Sequence, residues 1–257
     1  MATIALTGGD IEFVWVGTEH PGRPTIVMLH EGLGSVSLWR EFPGLLAEAT
    51  RCRVLVYSRH GYGRSAPLPG PRAVTYMHDE ALLALPELLN RFGVAEPILF
   101  GHSDGGSIAL IHAAKYPVTG VIALAPHVFV EDLCVASIAA AKVAYQTTDL
   151  RDKLARHHRD VDAVFWGWND IWLHPDFRSW NIESCLAEIQ CPVWVIQGDE
   201  DEYGTDAQMQ RIFLQARAVE LLYVPECRHS PHRDQPQLVL EKTAGWIEDR
   251  IRGQNPV

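Results

Sequence analysis

The sequence predicts an α/β fold, a mostly parallel sheet flanked by helices, with a helical insertion between two late strands. Three observations carry this. Short Val/Ile/Leu runs alternate with helical patterns, as in strand–helix–strand units whose strands are covered on both faces. The chain has 257 residues, a length at which α/β proteins stay one domain. Its composition, 47% hydrophobic and 21% charged, suits a globular protein and is too apolar for a disordered one.

Taken in order, the alternation Ile11-Glu12-Phe13-Val14-Trp15-Val16 reads as an antiparallel edge strand. Thr25 to His30 is the first buried strand, followed by a helical stretch from Ser37 to Glu48. Arg53 to Tyr57 is the next strand, and Thr75 to Phe92 the next helix, which Pro86 should kink or break. Pro97 to Gly101 is a strand, Gly105 to Lys115 a helix, and Gly120 to Leu124 a strand. After the insertion come the strand Val193 to Gln197, the helix Asp206 to Gln215, the strand Val219 to Val224 and the helix Gln237 to Arg250.

The alternation fails between about His127 and Gln190, where no strand pattern occurs. Ser137 to Tyr145 is Ala-rich and helical, and Phe165, Trp166, Trp168, Trp172, Phe177 and Trp180 follow. Four of the eight tryptophans of the chain fall in that stretch, which is the composition of a lid that lines a pocket while packing on itself. The predicted organisation is therefore a core of residues 1–126 and 191–257 with an aromatic-rich lid at 127–190. No internal repeat or low-complexity segment is present.

Charge narrows the partners. The formal net charge is −10 with no basic block, which argues against nucleic acid and anionic membranes. No apolar run approaches membrane-spanning length. The start of the chain lacks a basic stretch followed by an apolar one, so it does not read as a secretory signal. Cys52, Cys134, Cys185, Cys191 and Cys227 have neither metal nor redox spacing, and reduced thiols in a cytoplasmic protein are expected.

Gly101-His102-Ser103-Asp104-Gly105 carries the chemistry. It fits Gly-x-Ser-x-Gly, with a buried-type strand before it and a helix after it. A serine hydroxyl is a poor nucleophile until a base takes its proton and an acid holds the base. It must also stand clear of the backbone on a turn too sharp for side chains on either side.

With this motif in place, nearly the whole chain resembles the α/β-hydrolase superfamily, in its lidded serine esterase form. The resemblance implies an eight-stranded sheet and a catalytic triad in the order Ser, Asp or Glu, His. Ser103 corresponds to the nucleophile. The acid follows the strand Val193–Gln197, and the Gly-x-x-Asp spacing from Gly198 selects Asp201, with Asp199 as the alternative; Glu200 and Glu202 read as solvated charges. His229 and Pro236 keep the family's seven-residue His–Pro spacing, although Arg228 replaces the usual glycine. His232 competes with His229 for the role of base. Two backbone N–H groups should form an oxyanion hole. They correspond to Asp104, after the nucleophile, and Gly32, with Leu33 as the alternative. Glu31 stands where the family has glycine; its carboxylate is predicted to turn away from Ser103 and accept local hydrogen bonds.

Other motifs carry less. Gly61-Tyr62-Gly63-Arg64-Ser65-Ala66 matches a dinucleotide fingerprint, but Pro67, Pro69 and Pro71 forbid the helix that must follow it. It resembles the superfamily's turn after the fourth strand, with Ser58 in place of the usual Asp. Twelve histidines show no ligand spacing, so no metal is expected. His102 is expected under the elbow and His30 beneath the oxyanion loop. Leu33, His127, Trp166, Trp168 and Trp172 are candidate substrate contacts.

The sequence thus predicts a cofactor-free hydrolase of a small-molecule ester with an apolar acyl or alcohol part. Lactones and thioesters suit the same machinery. A carbon–carbon bond hydrolase of a diketone-type substrate would need a cation in the lid, and Arg178 and Arg151 are its candidates. A ligand-sensing receptor that keeps the triad without turning over is the non-enzymatic alternative. Oligomeric state is not encoded in any of these features.

Overall fold

The computed structural model describes residues 2–254. Met1 and residues 255–257, at the two ends of the predicted core, lie outside the described residues. Eight strands form one sheet in the order β1-β2-β4-β3-β5-β6-β7-β8. They are β1 (Ala2–Leu6), β2 (Gly9–Val16), β3 (Ile26–Leu29), β4 (Val54–Tyr57), β5 (Ile98–His102), β6 (Gly120–Leu124), β7 (Val193–Gly198) and β8 (Val219–Val224). The β1/β2 and β2/β4 pairs are antiparallel and all others parallel.

The strands of the centre are continuous apolar runs because both of their faces are covered. Alternate residues divide between two cores. Val27 and Leu29 of β3 join Met77, Leu85, Ile108 and Ile111 on one face. Ile26 and Met28 join Trp39, Phe42, Leu46 and Trp246 on the other. The helices before β6 are α1 (Phe42–Thr50), α2 (Tyr76–Asp79), α3 (Leu85–Phe92) and α4 (Asp104–Ala113). Between β6 and β7 lie α5 (Asp132–Thr147), α6 (Leu150–Ala155), α7 (Val161–Trp172) and α8 (Glu183–Leu186). The chain closes with α9 (Ala207–Gln215), α10 (Pro231–Asp234) and α11 (Pro236–Gln254).

Three local features differ from the sequence reading. The eighth strand is Ala2–Leu6, too short and too exposed to show an alternation of its own. The stretch Ser37–Glu48 is not one helix but a 3₁₀ turn, Val36–Trp39, then α1, separated by Arg40 at φ 52°. The break expected at Pro86 lies upstream as a π turn, Glu80–Ala84, between α2 and α3. Pro86 has no N–H to give, so nearby carbonyls turn elsewhere. Ala81 O accepts from His112 Nδ1 at 2.8 Å, and Leu82 O from the Tyr116 hydroxyl at 3.2 Å.

Residues 127–190 contain no strand, only an isolated bridge between Phe129 and Asn181. Their aromatics form two groups. Phe165 stacks on Tyr145 with centroids 3.7 Å apart and meets Trp166 and Trp168 edge-on. Phe177 stacks on Trp180 and meets Trp172 edge-on.

Candidate active site

β5 ends at His102 and α4 begins at Asp104, which leaves Ser103 alone on the turn between them. Its backbone sits at φ 52°, ψ −117°, a region that residues other than glycine rarely adopt. A Cβ on Gly101 would lie 2.2 Å from the Gly105 carbonyl oxygen, and one on Gly105 2.0 Å from that of Leu29. Only glycine leaves room for strand, turn and helix to meet here.

The loop after β8 carries His229 to this turn. His229 Nε2 lies 3.0 Å from Ser103 Oγ, and its Nδ1 lies 2.8 Å from Asp201 Oδ1. The same Asp201 oxygen accepts the backbone N–H groups of Tyr203 at 2.8 Å and Gly204 at 3.2 Å. Burial alone would raise the Asp201 carboxyl, but the hydrogen bond and charge of His229 outweigh it and hold the group below its ordinary value. Among the four adjacent acids only Asp201 reaches the imidazole. Asp199 is exposed and receives only the Cys227 N–H, at 3.4 Å. Glu202 is exposed, yet its Oε2 accepts the His229 N–H at 3.1 Å, a contact that sequence reasoning missed.

The competing His232 is buried on α10, and neither of its ring nitrogens has a hydrogen-bond partner among the described residues. It packs on Trp39 at 4.7 Å and His102 at 4.8 Å, and burial holds it well below the ordinary imidazole value. His102 does lie under the elbow. Its Nε2 donates to the His229 carbonyl oxygen at 2.8 Å, so the strand before Ser103 holds the loop that carries His229.

The loop after β3 lies against the elbow. The Glu31 carboxylate receives Arg233 Nη2 at 3.2 Å and stands 3.7 Å from His102 Nδ1, with no bond to Ser103. Burial would raise its pKa, but His102 and Arg233 pull it well below the carboxylate range. His30 Nδ1 donates to Glu31 O at 2.7 Å, and His30 Nε2 accepts the Arg59 N–H at 3.1 Å, which braces the loop from beneath. Asp104 is the first residue of α4, where the N–H has no acceptor within its own helix. Gly32 faces the indole of Trp168 so closely that a Cβ would lie 2.2 Å from its Nε1. His158 Nε2 donates to Leu33 O at 2.9 Å, and its Nδ1 accepts the Gly63 N–H at 3.0 Å. This clamp from the insertion onto two loops left no trace in motif spacing.

Of the remaining candidates, His127 Nε2 lies 3.2 Å from Tyr203 O, and its ring stands between those of His229 and Trp172, at 5.7 and 5.2 Å. Trp166 is only half-buried and lines a separate cleft of about 380 Å³ with Gly63 and Arg72. No helix follows the Gly61–Ala66 segment until α2. Its turn is organised instead by the buried Glu12 of β2, whose Oε2 accepts from Ser58 Oγ at 2.8 Å and Arg64 N at 2.9 Å. No group of three metal-ligating side chains exists among the described residues, and no helix there is long and apolar enough to cross a membrane.

Residues 26–242 match the model of the Alpha/beta hydrolase family. A (lyso)-N-acylphosphatidylethanolamine lipase of Bos taurus is 31% identical over 107 residues, 40% of this chain and 31% of the lipase. A putative carbamate hydrolase RutD of Azorhizobium caulinodans is 32% identical over 111 residues, 43% of this chain and 38% of that protein. The chain therefore matches well under half the length of these curated relatives. Among solved structures, VinJ is similar with a TM-score of 0.74 and 25% identity, covering 96% of this chain and 98% of VinJ. The enol-lactonase of Burkholderia xenovorans LB400 shares the fold, with a TM-score of 0.76, 17% identity, and coverage of 96% and 100%.

Proposed function

The chain belongs to the alpha/beta hydrolase family, and from that premise we propose that it cleaves a carboxylic ester of a small apolar acyl or alcohol compound. One observation carries the reading: Ser103 Oγ, the His229 imidazole and Asp201 Oδ1 stand in series at 3.0 and 2.8 Å. In this reading Ser103 attacks the acyl carbon while His229 Nε2 takes its proton. Asp201 keeps the other ring nitrogen protonated and favours the imidazolium that forms. The Gly32 and Asp104 N–H groups receive the oxyanion. His229 returns the proton to the leaving alcohol, then takes one from the water that releases the acid. The steps use this chain's own residues alone.

Residues 127–190 act as a lid over a core of 1–126 and 191–257. Trp168 against Gly32 and Trp172 against His127 support this, because they set apolar surface beside the reacting groups. The carbon–carbon reading is less favoured. Arg178 is exposed and paired with Asp132, and Arg151 Nε donates to Asp162 at 3.0 Å, so neither is available to a substrate carboxylate. The test is an acyl-chain series of p-nitrophenyl esters, with a lactone and a thioester alongside and Ser103→Ala as control. Repeated turnover with a sharp chain-length preference, lost in Ser103→Ala, is expected. Retained turnover in that variant refutes the mechanism, and a single acylation without turnover favours a receptor.

A further inference from the structure

The Gly32 N–H and the Glu31 carbonyl belong to one planar peptide and point to opposite sides of it. Three donors hold that carbonyl from beneath. His30 Nδ1 donates to it at 2.7 Å, Arg59 Nη2 at 2.9 Å and the Gly34 N–H at 3.0 Å. The direction of the Gly32 N–H is therefore fixed within its own loop. None of these bonds fixes where that loop stands relative to His229, which arrives from the far end of the chain.

The Glu31 side chain supplies that link. Its Oε1 accepts Arg233 Nη2 at 3.2 Å, and its Oε2 stands 3.7 Å from His102 Nδ1. Arg233 comes shortly after His229, and its backbone N–H donates to Ser230 O at 2.8 Å, so it moves with the loop that carries the base. His102 precedes Ser103 and donates through Nε2 to the His229 carbonyl oxygen at 2.8 Å. One carboxylate thus meets the segments that bear Gly32, Ser103 and His229.

An ion pair on open surface contributes little, because two flexible side chains must be ordered to make it. Glu31 has already lost that freedom. Its side chain is 17% exposed, and a Cβ on Gly34 would lie 2.3 Å from Oε2 and 2.9 Å from the carboxyl carbon. Only glycine at 34 lets the carboxylate lie against its own loop. Arg233 is 39% exposed, and its Nη2 also lies 3.4 Å from Leu38 O, which directs it to the same place. A free carboxylate beside an oxyanion hole would oppose the negative charge that forms there. The Arg233 cation balances Glu31, so the charge can stay without that cost.

We propose that Glu31 is a positioning residue that, through Arg233 and His102, holds the Gly32 N–H and the His229 ring in register across Ser103. This rests on the hydrolase reading above. Its loss is felt in the rate of the chemical step, not in substrate binding.

Glu31→Gln keeps the size and removes the charge, and Arg233→Met keeps the stem and removes the cation. Each should lower kcat for p-nitrophenyl butyrate by about 10- to 100-fold with KM nearly unchanged, since misplacement of reacting groups by about 1 Å has effects of this size. Arg233→Lys should keep most of the rate, because Nη2 alone reaches Glu31. Glu31→Gln/Arg233→Met should be no slower than the slower single variant, whereas independent contributions would multiply. A Glu31→Gln enzyme as fast as wild type, or faster because a repelling charge has gone, would overturn the proposal. So would independent effects in the double variant. If Glu31→Gln does not fold, Arg233→Met, altered at the more exposed partner, decides the same question. The hydrolase reading fails separately, if wild type neither turns over p-nitrophenyl esters nor is labelled at Ser103 by diisopropyl fluorophosphate with loss of fluoride. The proton signal of the His229–Asp201 hydrogen bond, identified by its loss in His229→Ala, still tests Glu31 in that case. It should shift or broaden in Glu31→Gln and Arg233→Met and return in Arg233→Lys. A signal unchanged in all three rejects the positioning role.

Discussion

Replacing Gly32 by alanine should cost more than a surface Gly→Ala change, because the new Cβ would lie 2.2 Å from Trp168 Nε1 and 2.3 Å from its Cδ1. Carbon contacts settle at about 3.5–4.0 Å, so one partner must retreat by about 1.2 Å or more. Neither retreats freely. The indole is 7% exposed and meets Phe165, which is itself stacked on Tyr145. The loop is pinned on either side of Gly32, by His30 on Glu31 O and His158 on Leu33 O. Overpacking of this kind costs about 1–3 kcal/mol. If the helix side yields, that cost appears as lost stability, about 2–4 °C in Tm per kcal/mol for a chain of this size. If the loop yields, the Gly32 N–H leaves its place and the same energy appears in the barrier, as about 5- to 150-fold in kcat/KM. Ester hydrolysis and thermal melts on the same preparation separate the two. Trp168→Ala opens the space, so Gly32→Ala should be less harmful in that background than in wild type. Strict additivity in the double-mutant cycle, or Gly32→Ala with unchanged Tm and rate, would refute the contact argument.

Asp201→Asn should lower kcat by about 10⁴-fold with little change in KM, because the amide can keep the Tyr203 and Gly204 N–H bonds while losing the charge that favours the imidazolium. A loss below about tenfold in steady-state rates would remove Asp201 from the triad. Stability should fall on acidification in two stages. His30 and His232 are held well below the imidazole value, chiefly by burial. The unfolded chain therefore binds their protons first, and stability declines as pH drops below about 6.5, by up to ~1.4 kcal/mol per pH unit for each. Asp201 and Glu31 have depressed values, so their contribution is present above the unfolded carboxylate range, about 4, and is lost as pH falls through their folded values. Urea midpoints from pH 7.5 to about 2.5 measure both stages, and a flat profile between 7.5 and 5 would contradict the first.

Strands were legible in the sequence where one chemical fact decided them. Gly120–Leu124 and Val219–Val224 match the observed β6 and β8 to the residue, since an apolar run bounded by turn residues has one outcome. The Ser103 turn was legible for a related reason: glycine at 101 and 105 is a steric requirement, and steric requirements leave residue identities behind. The π turn was not. Pro86 announces that a helix must break, but where it breaks depends on which side chains collect the released carbonyls, and His112 and Tyr116 come from a later helix and its end. Glu12 was hidden for the same reason. It sits in an alternating strand at a position that reads as solvent-facing, yet it is 2% exposed because the 58–65 turn folds over it.

The histidines extend the point to the site itself. By spacing they form no pattern, and among the described residues none belongs to a group of three or more side chains that could hold a metal ion. In three dimensions several do one kind of work: each holds a backbone carbonyl of a loop that borders Ser103. His30 holds Glu31 O, His158 holds Leu33 O, His102 holds His229 O and His127 approaches Tyr203 O. The other ring nitrogen of His30 and of His158 accepts a backbone N–H, from Arg59 and from Gly63, which only the neutral ring can do, and burial suppresses protonation at His30, His127 and His158. Stability already declines below about 6.5, where the unfolded chain takes up these protons, whereas in the folded protein acid must reach the lowered values before the clamps open. The loops around Ser103 should therefore hold their geometry in the folded protein until the sheet itself unfolds. Tryptophan fluorescence followed from pH 7.5 downward should stay constant until the acid unfolding transition; a change well above that transition would show that the histidine clamps yield first.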